Sequence, residues 1–365
     1  MKISYIGVKS LTSGGIEKYT IEIGSRLVQK GHNITVYIIK NDDYKPTFYK
    51  GMKIVPVPAF KTKSLEKISS SLIASLKCCL MDSPDIVHIH AFGPGMLSII
   101  PRAMNKRVVV QGHGIEWKRS RWNNIGKWFL KVTEFPSVKF PNKVTVVSQV
   151  QQKYLKKKYN IDSTYIPGGV NPPHIKKPDL IKQYGLNGND YILFSARLVK
   201  EKGAHYLISA YNNIKTEMKL VIAGDAPYED EYKAELKTLS KDNKNIIFTG
   251  FARGRLLAEL LSNCYIYVLP SEIEGLSISL LEAMSYGNCC LVSDIPENLE
   301  ALNGYGYTFK RSNVDDLTNK LETLISNGSY VNKVKDMARD HVLRNYSWDM
   351  IASQMEALYL DLLKE

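Results

Sequence analysis

Several familiar signatures are missing from this 365-residue chain, and each absence narrows what it does. Its five cysteines, at 78, 79, 264, 289 and 290, form no C-x-x-C, which suits neither a disulfide framework nor a zinc site and leaves them as core thiols. No apolar run approaches the roughly 20 residues needed to span a bilayer. The opening MKISYIGV lacks the long apolar region and small-residue cleavage site of a signal peptide, so the chain reads as cytoplasmic. There is no G-x-G-x-x-G, no P-loop pattern and no Asp-x-Asp pair, and the last of these fits a site that needs no metal. Acid is scarce in one half: residues 1–170 hold 27 Lys and Arg against 10 Asp and Glu, whereas residues 171–365 hold 22 against 26. A basic half points to an anionic partner: a membrane surface, a phosphorylated substrate or nucleic acid.

What is present is an ordinary globular composition, 44% hydrophobic and 23% charged, long enough for two cores. β-rich runs alternate with helical patterns. KISYIGV (2–8), a helix over 15–30, ITVYII (34–39), a helix near 65–80, DIVHIH (85–90), RVVVQ (107–111) and KVTVVS (143–148) give a βαβ rhythm. YILFSAR (191–197), KLVIAG (219–224), NIIFTG (245–250), YIYVLPS (265–271) and CCLVSD (289–294) repeat it. IPGGVNPPHIKKP (166–178) concentrates Pro and Gly as a linker does. The expected fold is α/β: two Rossmann-like domains, 1–170 and 171–346, facing a central cleft, with a helix at 347–365 crossing between them.

Candidate chemistry clusters after predicted strands. Gly14 and Gly15 open a helix, where free N–H groups and the positive dipole end suit a phosphate, although the pair equally suits a plain turn. Arg197 ends a strand and Lys202 follows five residues on; two cations there neutralise a diphosphate as a divalent metal does elsewhere, or are solvated surface charge. His113 sits between glycines after RVVVQ, where its ring is expected to project into open space. His88 and His90 share one strand face but lack a third ligand, so packed or hydrogen-bonded histidines are preferred to a metal pair. In SEIEGLSISLLEAMSYG (271–287), positions 276, 280, 283 and 284 recur at helical spacing, predicting a helix whose first turn follows Gly275. Glu282 then lies near its buried stripe, and a carboxylate there needs a partner.

Taken in order, Gly14-Gly15, RLVKEKG, VIAGDAP (221–227), FTGF (248–251), LPSEIEGLSISLLEAMSYG and VSDIPEN (292–298) resemble the GT4 family of glycosyltransferases with the GT-B fold. The resemblance covers nearly the whole chain, and its most specific element is the E-x7-E pattern of Glu274 and Glu282. EKYTIEIGSRLVQKGHNITVY, DIVHIH and QGHGIEWKRSRW are similar to the subgroup that builds cell-surface polysaccharides, rhamnosyltransferases included. The resemblance implies that Glu282 accepts hydrogen bonds from the ribose of a nucleotide sugar and that Glu274 reaches the transferred sugar. It implies that Arg197 and Lys202 hold the diphosphate, that Gly15 offers a backbone N–H, that Phe251 lies beside the base and that His113 borders the anomeric carbon. The backbone amides of Gly275, Leu276 and Ser277 would face donor oxygens. Family members commonly carry Asn in an IPNGV segment where this chain has Gly168, so any hydrogen bond from that side chain is absent.

A retaining glycosyltransferase without metal or other cofactor is therefore expected, with a UDP or dTDP sugar as donor and a saccharide or polyprenyl-diphosphate-linked acceptor. The alternatives are a GT-B-type sugar-nucleotide epimerase, which needs no acceptor, and a nucleic-acid-binding protein using the basic half. No RRM, KH or helix-turn-helix pattern supports nucleic acid. Two stretches carry apolar stripes with basic flanks: Leu65, Ile68, Leu72, Leu76 and Leu80 in 64–80, and Trp122, Ile125, Phe129 and Val132 beside Lys118, Arg119, Arg121, Lys127 and Lys131 in 116–132. Each stripe either packs on the first sheet or lies at the anionic inner face of the membrane.

Overall fold

The protein, represented by a computed structural model, is described at residues 1–11, 14–40, 47–60, 65–119, 122–226 and 229–365. Ser64, Arg121 and Pro227, which figured in the motifs above, lie outside the described residues. The chain divides into two compact units, Met1–Gly169 with Trp348–Glu365, and Val170–Ser347.

In the first unit the strands are β1 (Lys2–Ile6), β2 (Asn33–Ile39), β3 (Phe48–Tyr49), β4 (Met52–Val57), β5 (Ile86–His90), β6 (Arg107–Gly112), β7 (Lys143–Val146) and β8 (Thr164–Tyr165). They form one sheet in the order β3-β4-β2-β1-β5-β6-β7-β8, parallel throughout except for β3 against β4. The central runs are rich in Ile and Val because a parallel sheet covered on both faces buries every position, and β5 is buried end to end. In the second unit β9 (Tyr191–Ser195), β10 (Lys219–Ala223), β11 (Ile246–Gly250), β12 (Ile266–Leu269), β13 (Cys289–Ser293) and β14 (Tyr307–Phe309) form a parallel sheet in the order β11-β10-β9-β12-β13-β14. Period two splits its core: Tyr191, Leu193 and Cys290 pack on one face, Ile192, Phe194 and Cys289 on the other. Adjacent cysteines 289 and 290 thus point apart, and all five thiols are buried and free. In each sheet the order reverses beside its first strand, next to β1 and next to β9. In doubly wound sheets ligands bind outside the carboxyl ends of the strands at that switch.

The helix Trp348–Lys364 belongs to the first unit. Trp348, Ile351, Ala352, Met355, Tyr359 and Leu362 form its buried face. Its outer edge is tied to the helix Gly15–Gln29 by Arg26 to Asp349 at 2.6 Å and Lys30 to Glu356 at 2.5 Å. Val170 N–H donates to the Tyr346 carbonyl at 2.7 Å and Val170 pairs with Ser347, so the chain enters and leaves the second unit at one point.

Two helices on one face of the first sheet invert the usual pattern. In Glu66–Lys77 the buried positions are Ser70, Ser71, Ala74 and Ser75, while Leu65, Leu72 and Leu76 are exposed, as is Leu80 just beyond at 72%. The expected helix over 65–80 in fact ends in a single π turn at Cys78–Asp82. In Asn124–Lys139, Leu130, Thr133, Glu134, Ser137 and Val138 face inward. Its exposed stripe is Ile125, Trp128 (64%), Val132 and Phe135, in place of the expected Trp122, Ile125, Phe129 and Val132. The helix begins after the Asn123 cap, so Trp122 precedes it, and Phe129 lies at the flank of the inward face and is partly buried.

Deleting Trp348–Glu365 strips a cover of six buried side chains from the first unit. At about 1.5–3 kcal/mol for each large one this rivals the whole stability of a domain, about 5–15 kcal/mol. Hydrogen exchange is expected to show protection lost across Met1–Gly169 and retained in Val170–Ser347; protection retained in both would refute this account of the helix.

Candidate functional site

At the carboxyl edge of β9 the chain turns through Arg197 and Lys202 into a short helix, Ala204–Asn212. Two glycines fix the route. A Cβ on Gly224, after β10, would lie 1.9 Å from the Ala196 carbonyl oxygen, so only glycine lets the two strand ends approach. Gly203 has φ +73°, and a Cβ there would lie 2.1 Å from the Pro270 carbonyl oxygen. The Lys202 loop is thereby pressed against the segment following β12, and Glu272 N–H donates to the Glu201 carbonyl at 2.9 Å to join them.

The result is an ion pair. Lys202 Nζ meets Glu274 Oε1 at 2.5 Å, with side chains only 13% and 6% exposed. Glu274, not Glu282, is thus the sealed acid. The helix after it spans Ile278–Ser285, starting two residues later than the spacing predicts, because Ser277 caps it: the Leu280 N–H donates to Ser277 Oγ at 3.4 Å. Leu280, Leu281, Ala283 and Met284 are buried and Glu282 sits between them only partly buried, since a helical side chain flanked by the core face still reaches its edge. Gly275 is buried and Leu276 partly buried just before the cap. Arg197 is exposed, and so is Phe251, which follows Gly250 (φ +69°) at the end of β11. The second unit therefore gathers Arg197, Lys202, Glu274, Gly275, Leu276 and Ser277 on the loops after β9 and β12, the strands on either side of its switch point, with Glu282 on the helix that follows.

The corresponding edge of the first unit holds Gly14, Gly15 and His113. Gly14 caps the helix Gly15–Gln29 at φ +113°, where a Cβ would collide with Glu17 Oε2, and Gly15 has open space around its Cα. His113 does not project freely as expected. Its ring is partly buried, edge-on to Tyr19 with centroids 5.4 Å apart, and its Nε2 lies 3.1 Å from His90 Nδ1. His90 Nε2 is 3.2 Å from Thr20 Oγ1, which also lies 2.8 Å from the Ile16 carbonyl. Deeper in, His88 bonds Tyr359 at 2.6 Å and Gln111 at 3.1 Å. This polar layer was not foreseen, although the i, i+2 spacing of His88 and His90 placed both on one face. Burial pushes His88 down to about 3. Burial, then neighbouring positive charge, hold His90 and His113 well below the usual histidine range, so all three are neutral near pH 7. Among the described residues no group of three or more His, Cys, Asp or Glu is placed to hold a metal ion.

Two Rossmann-like parallel-sheet domains of this order define the GT-B class of glycosyltransferases. Residues 13–173 match Glycosyltransferase Family 4 and residues 176–341 match Glycosyl transferases group 1. The chain belongs to the GT4-type glycosyltransferases. It is 23% identical, over 100% of its length and 97% of the relative's, to the UDP-Gal:alpha-D-GlcNAc-diphosphoundecaprenol alpha-1,3-galactosyltransferase of Escherichia coli. Among solved structures, sucrose-phosphate synthase from Thermosynechococcus elongatus superposes with a TM-score of 0.89 at 19% identity, covering 100% of this chain and 99% of the other. Anabaena HepE in complex with UDP and glucose gives 0.84 at 17%, covering 99% and 100%.

Glu274→Ala strands the Lys202 ammonium in a nearly sealed site. Breaking a buried pair this way typically costs about 3–5 kcal/mol, whereas replacing both partners by apolar groups is often neutral. Urea unfolding is expected to show a large loss for Glu274→Ala and most of it recovered in Lys202→Met/Glu274→Leu; single and double variants equally unstable would contradict the pairing.

Proposed function

We propose that the protein is a retaining hexosyltransferase that moves a sugar from UDP or dTDP to a hydroxyl of a saccharide carried on a polyprenyl diphosphate, in the assembly of a cell-surface polysaccharide. The observation that carries this reading is the Lys202–Glu274 pair beside the Ser277-capped helix at the switch point of the second sheet. A cation and a carboxylate held 2.5 Å apart are each offered a new partner by a sugar diphosphate: phosphate oxygens for Lys202 and sugar hydroxyls for Glu274. Arg197 supplies the second cation, Glu282 accepts from the ribose, Phe251 flanks the base, and the amides of Gly275, Leu276 and Ser277 face donor oxygens. From the first unit, Gly15 offers a backbone N–H and His113 its ring beside the anomeric carbon.

The chemistry needs no enzymic nucleophile. The bond from the anomeric carbon to the phosphate oxygen breaks, the acceptor hydroxyl adds from the same face through an oxocarbenium-like state, and its proton passes to the departing phosphate oxygen. Arg197 and Lys202 stabilise the charge that accumulates on the diphosphate, the role a metal fills elsewhere. The E. coli relative's name specifies a UDP sugar and a diphosphoundecaprenol-linked acceptor, which favours the same classes here.

Such an acceptor lies at a membrane, and no helix among the described residues is long and apolar enough to cross one. The exposed stripes of Glu66–Lys77 and Asn124–Lys139 lie on one face of the first sheet, since Ala74, Cys78 and Val138 pack into a common cluster beneath them. Lys118, Lys131 and Lys139 are exposed around the second stripe. Apolar side chains ringed by lysines suit the anionic inner surface of a bilayer, each lysine contributing about 1 kcal/mol.

Two sets of experiments test this reading, one on the donor site and one on the membrane. UDP or dTDP is expected to raise Tm while GDP and ADP do not. Glu282→Ala should weaken the stabilising nucleotide by about 1.5–3 kcal/mol, and Arg197→Ala should cut turnover about a hundredfold, with turnover of the parent persisting in EDTA. No shift with any nucleotide, or an absolute need for a divalent cation, counts against the assignment. Separately, the protein should co-sediment with anionic but not neutral liposomes, less so as salt rises or with Trp128 and Phe135 changed to Ser; indifference to lipid charge sinks the membrane proposal alone.

A further inference from the structure

The hydrogen bonds leading to His113 have a polarity that their geometry fixes. A carbonyl oxygen has no hydrogen to give, so the 2.8 Å contact of Thr20 Oγ1 with the Ile16 carbonyl is made only if the threonine hydroxyl donates to it. The same hydroxyl has one hydrogen, so its 3.2 Å contact with His90 Nε2 must run the other way, from an Nε2–H to the threonine oxygen. A neutral imidazole protonated at Nε2 is bare at Nδ1. His90 Nδ1 is 3.1 Å from His113 Nε2 and therefore accepts, which places the single proton of a neutral His113 on Nε2. Both rings sit where burial disfavours the charged form, so a second proton does not blur the assignment.

We infer that Thr20 and His90 are positioning residues that set the tautomer of His113, so that its Nδ1 presents a lone pair to a substrate hydroxyl and offers no proton. Among the described residues Nδ1 of His113 has no hydrogen-bond partner, and the ring packs perpendicular to Tyr19. The consequence for chemistry is specific. His113 accepts from a hydroxyl and holds it in place; it is no general acid for the departing phosphate. This rests on the reading of His113 as a residue that meets the sugar, but the proton's position is a property of the free protein and is tested without any ligand.

Protein carrying 15N-histidine reports the tautomer directly, because protonated and bare ring nitrogens resonate far apart, and His113→Asn assigns the signals. The unmodified protein is expected to show His113 protonated at Nε2 and bare at Nδ1. Thr20→Val keeps the shape but removes the acceptor, freeing His90 to carry its proton on Nδ1 and donate to His113 Nε2; His113 should then switch to Nδ1–H. Thr20→Ser should restore the original pattern. Affinity for UDP, measured on the same samples, should stay within about twofold, far less than the tenfold that 1.4 kcal/mol would give. A proton on His113 Nδ1 in the unmodified protein overturns the inference, as does a tautomer that ignores Thr20→Val. Should Thr20→Val fail to fold, the unmodified spectrum alone still decides. Absence of UDP binding by the unmodified protein would count against the donor assignment and leave the tautomer result standing.

Discussion

A carboxylate almost sealed from water needs a partner for its charge, and the Lys202–Glu274 contact supplies one from two loops that are far apart in sequence. Neither loop reaches the other unaided. Gly203, with no side chain to strike the Pro270 carbonyl, allows the approach, and Ser277 starts the next helix so that its first amides follow the acid at once. Backbone conformation, ion pair and helix cap thus form one arrangement in which each part presupposes the others. A packed core would hold the two strands in register without it, but would leave the loop tips unspecified.

The first unit meets a similar constraint with hydrogen bonds in place of ions. Tyr5, Tyr19, Thr20, His88, His90, Gln111 and Tyr359 bring polar atoms together where the helices Gly15–Gln29 and Trp348–Lys364 meet the sheet. Their hydrogen bonds fall in two groups, His88 with Tyr359 and Gln111 and His90 with Thr20 and His113, and in both the histidines are held neutral by burial. A neutral network tolerates burial that isolated charges would not. It also ties the last helix of the chain to the central strand through His88 and Tyr359 at 2.6 Å.

Strand after strand was legible because β-branched runs bounded by Gly and Pro leave little ambiguity: DIVHIH and CCLVSD lie where their composition puts them. Lys53 and Pro56 broke up MKIVPV enough to conceal β4, a strand beside β2 that only its neighbours reveal. The family motif identified Glu274 and Glu282, but spacing alone cast the wrong one as the buried acid, because partners such as Lys202, 72 residues away, leave no trace in local periodicity. The leucine stripe of Glu66–Lys77 was readable and its direction was not. Period 3.6 marks an apolar face, whereas the buried serines show that small residues can be what a helix turns toward a sheet when close approach matters more than hydrophobicity. His113 was placed by two glycines; its network came from strands and helices that sequence could not juxtapose.

The order in which the chain is synthesised meets a difficulty at its last helix. The second unit, Val170–Ser347, is inserted within the first, and its ends are paired at Val170 and Ser347, so it is complete as soon as its own residues emerge. The first unit is not. Its sheet is made early, but the face that Trp348, Met355 and Tyr359 will cover stays bare until the residues from 348 onward have been made. At about 5–20 residues per second, translating the intervening unit takes on the order of 10 to 40 s. For that interval a nascent chain carries an unfinished apolar surface, which makes it a natural client for a chaperone. A stop codon at Trp348 would cost the cell the older unit while sparing the newer one.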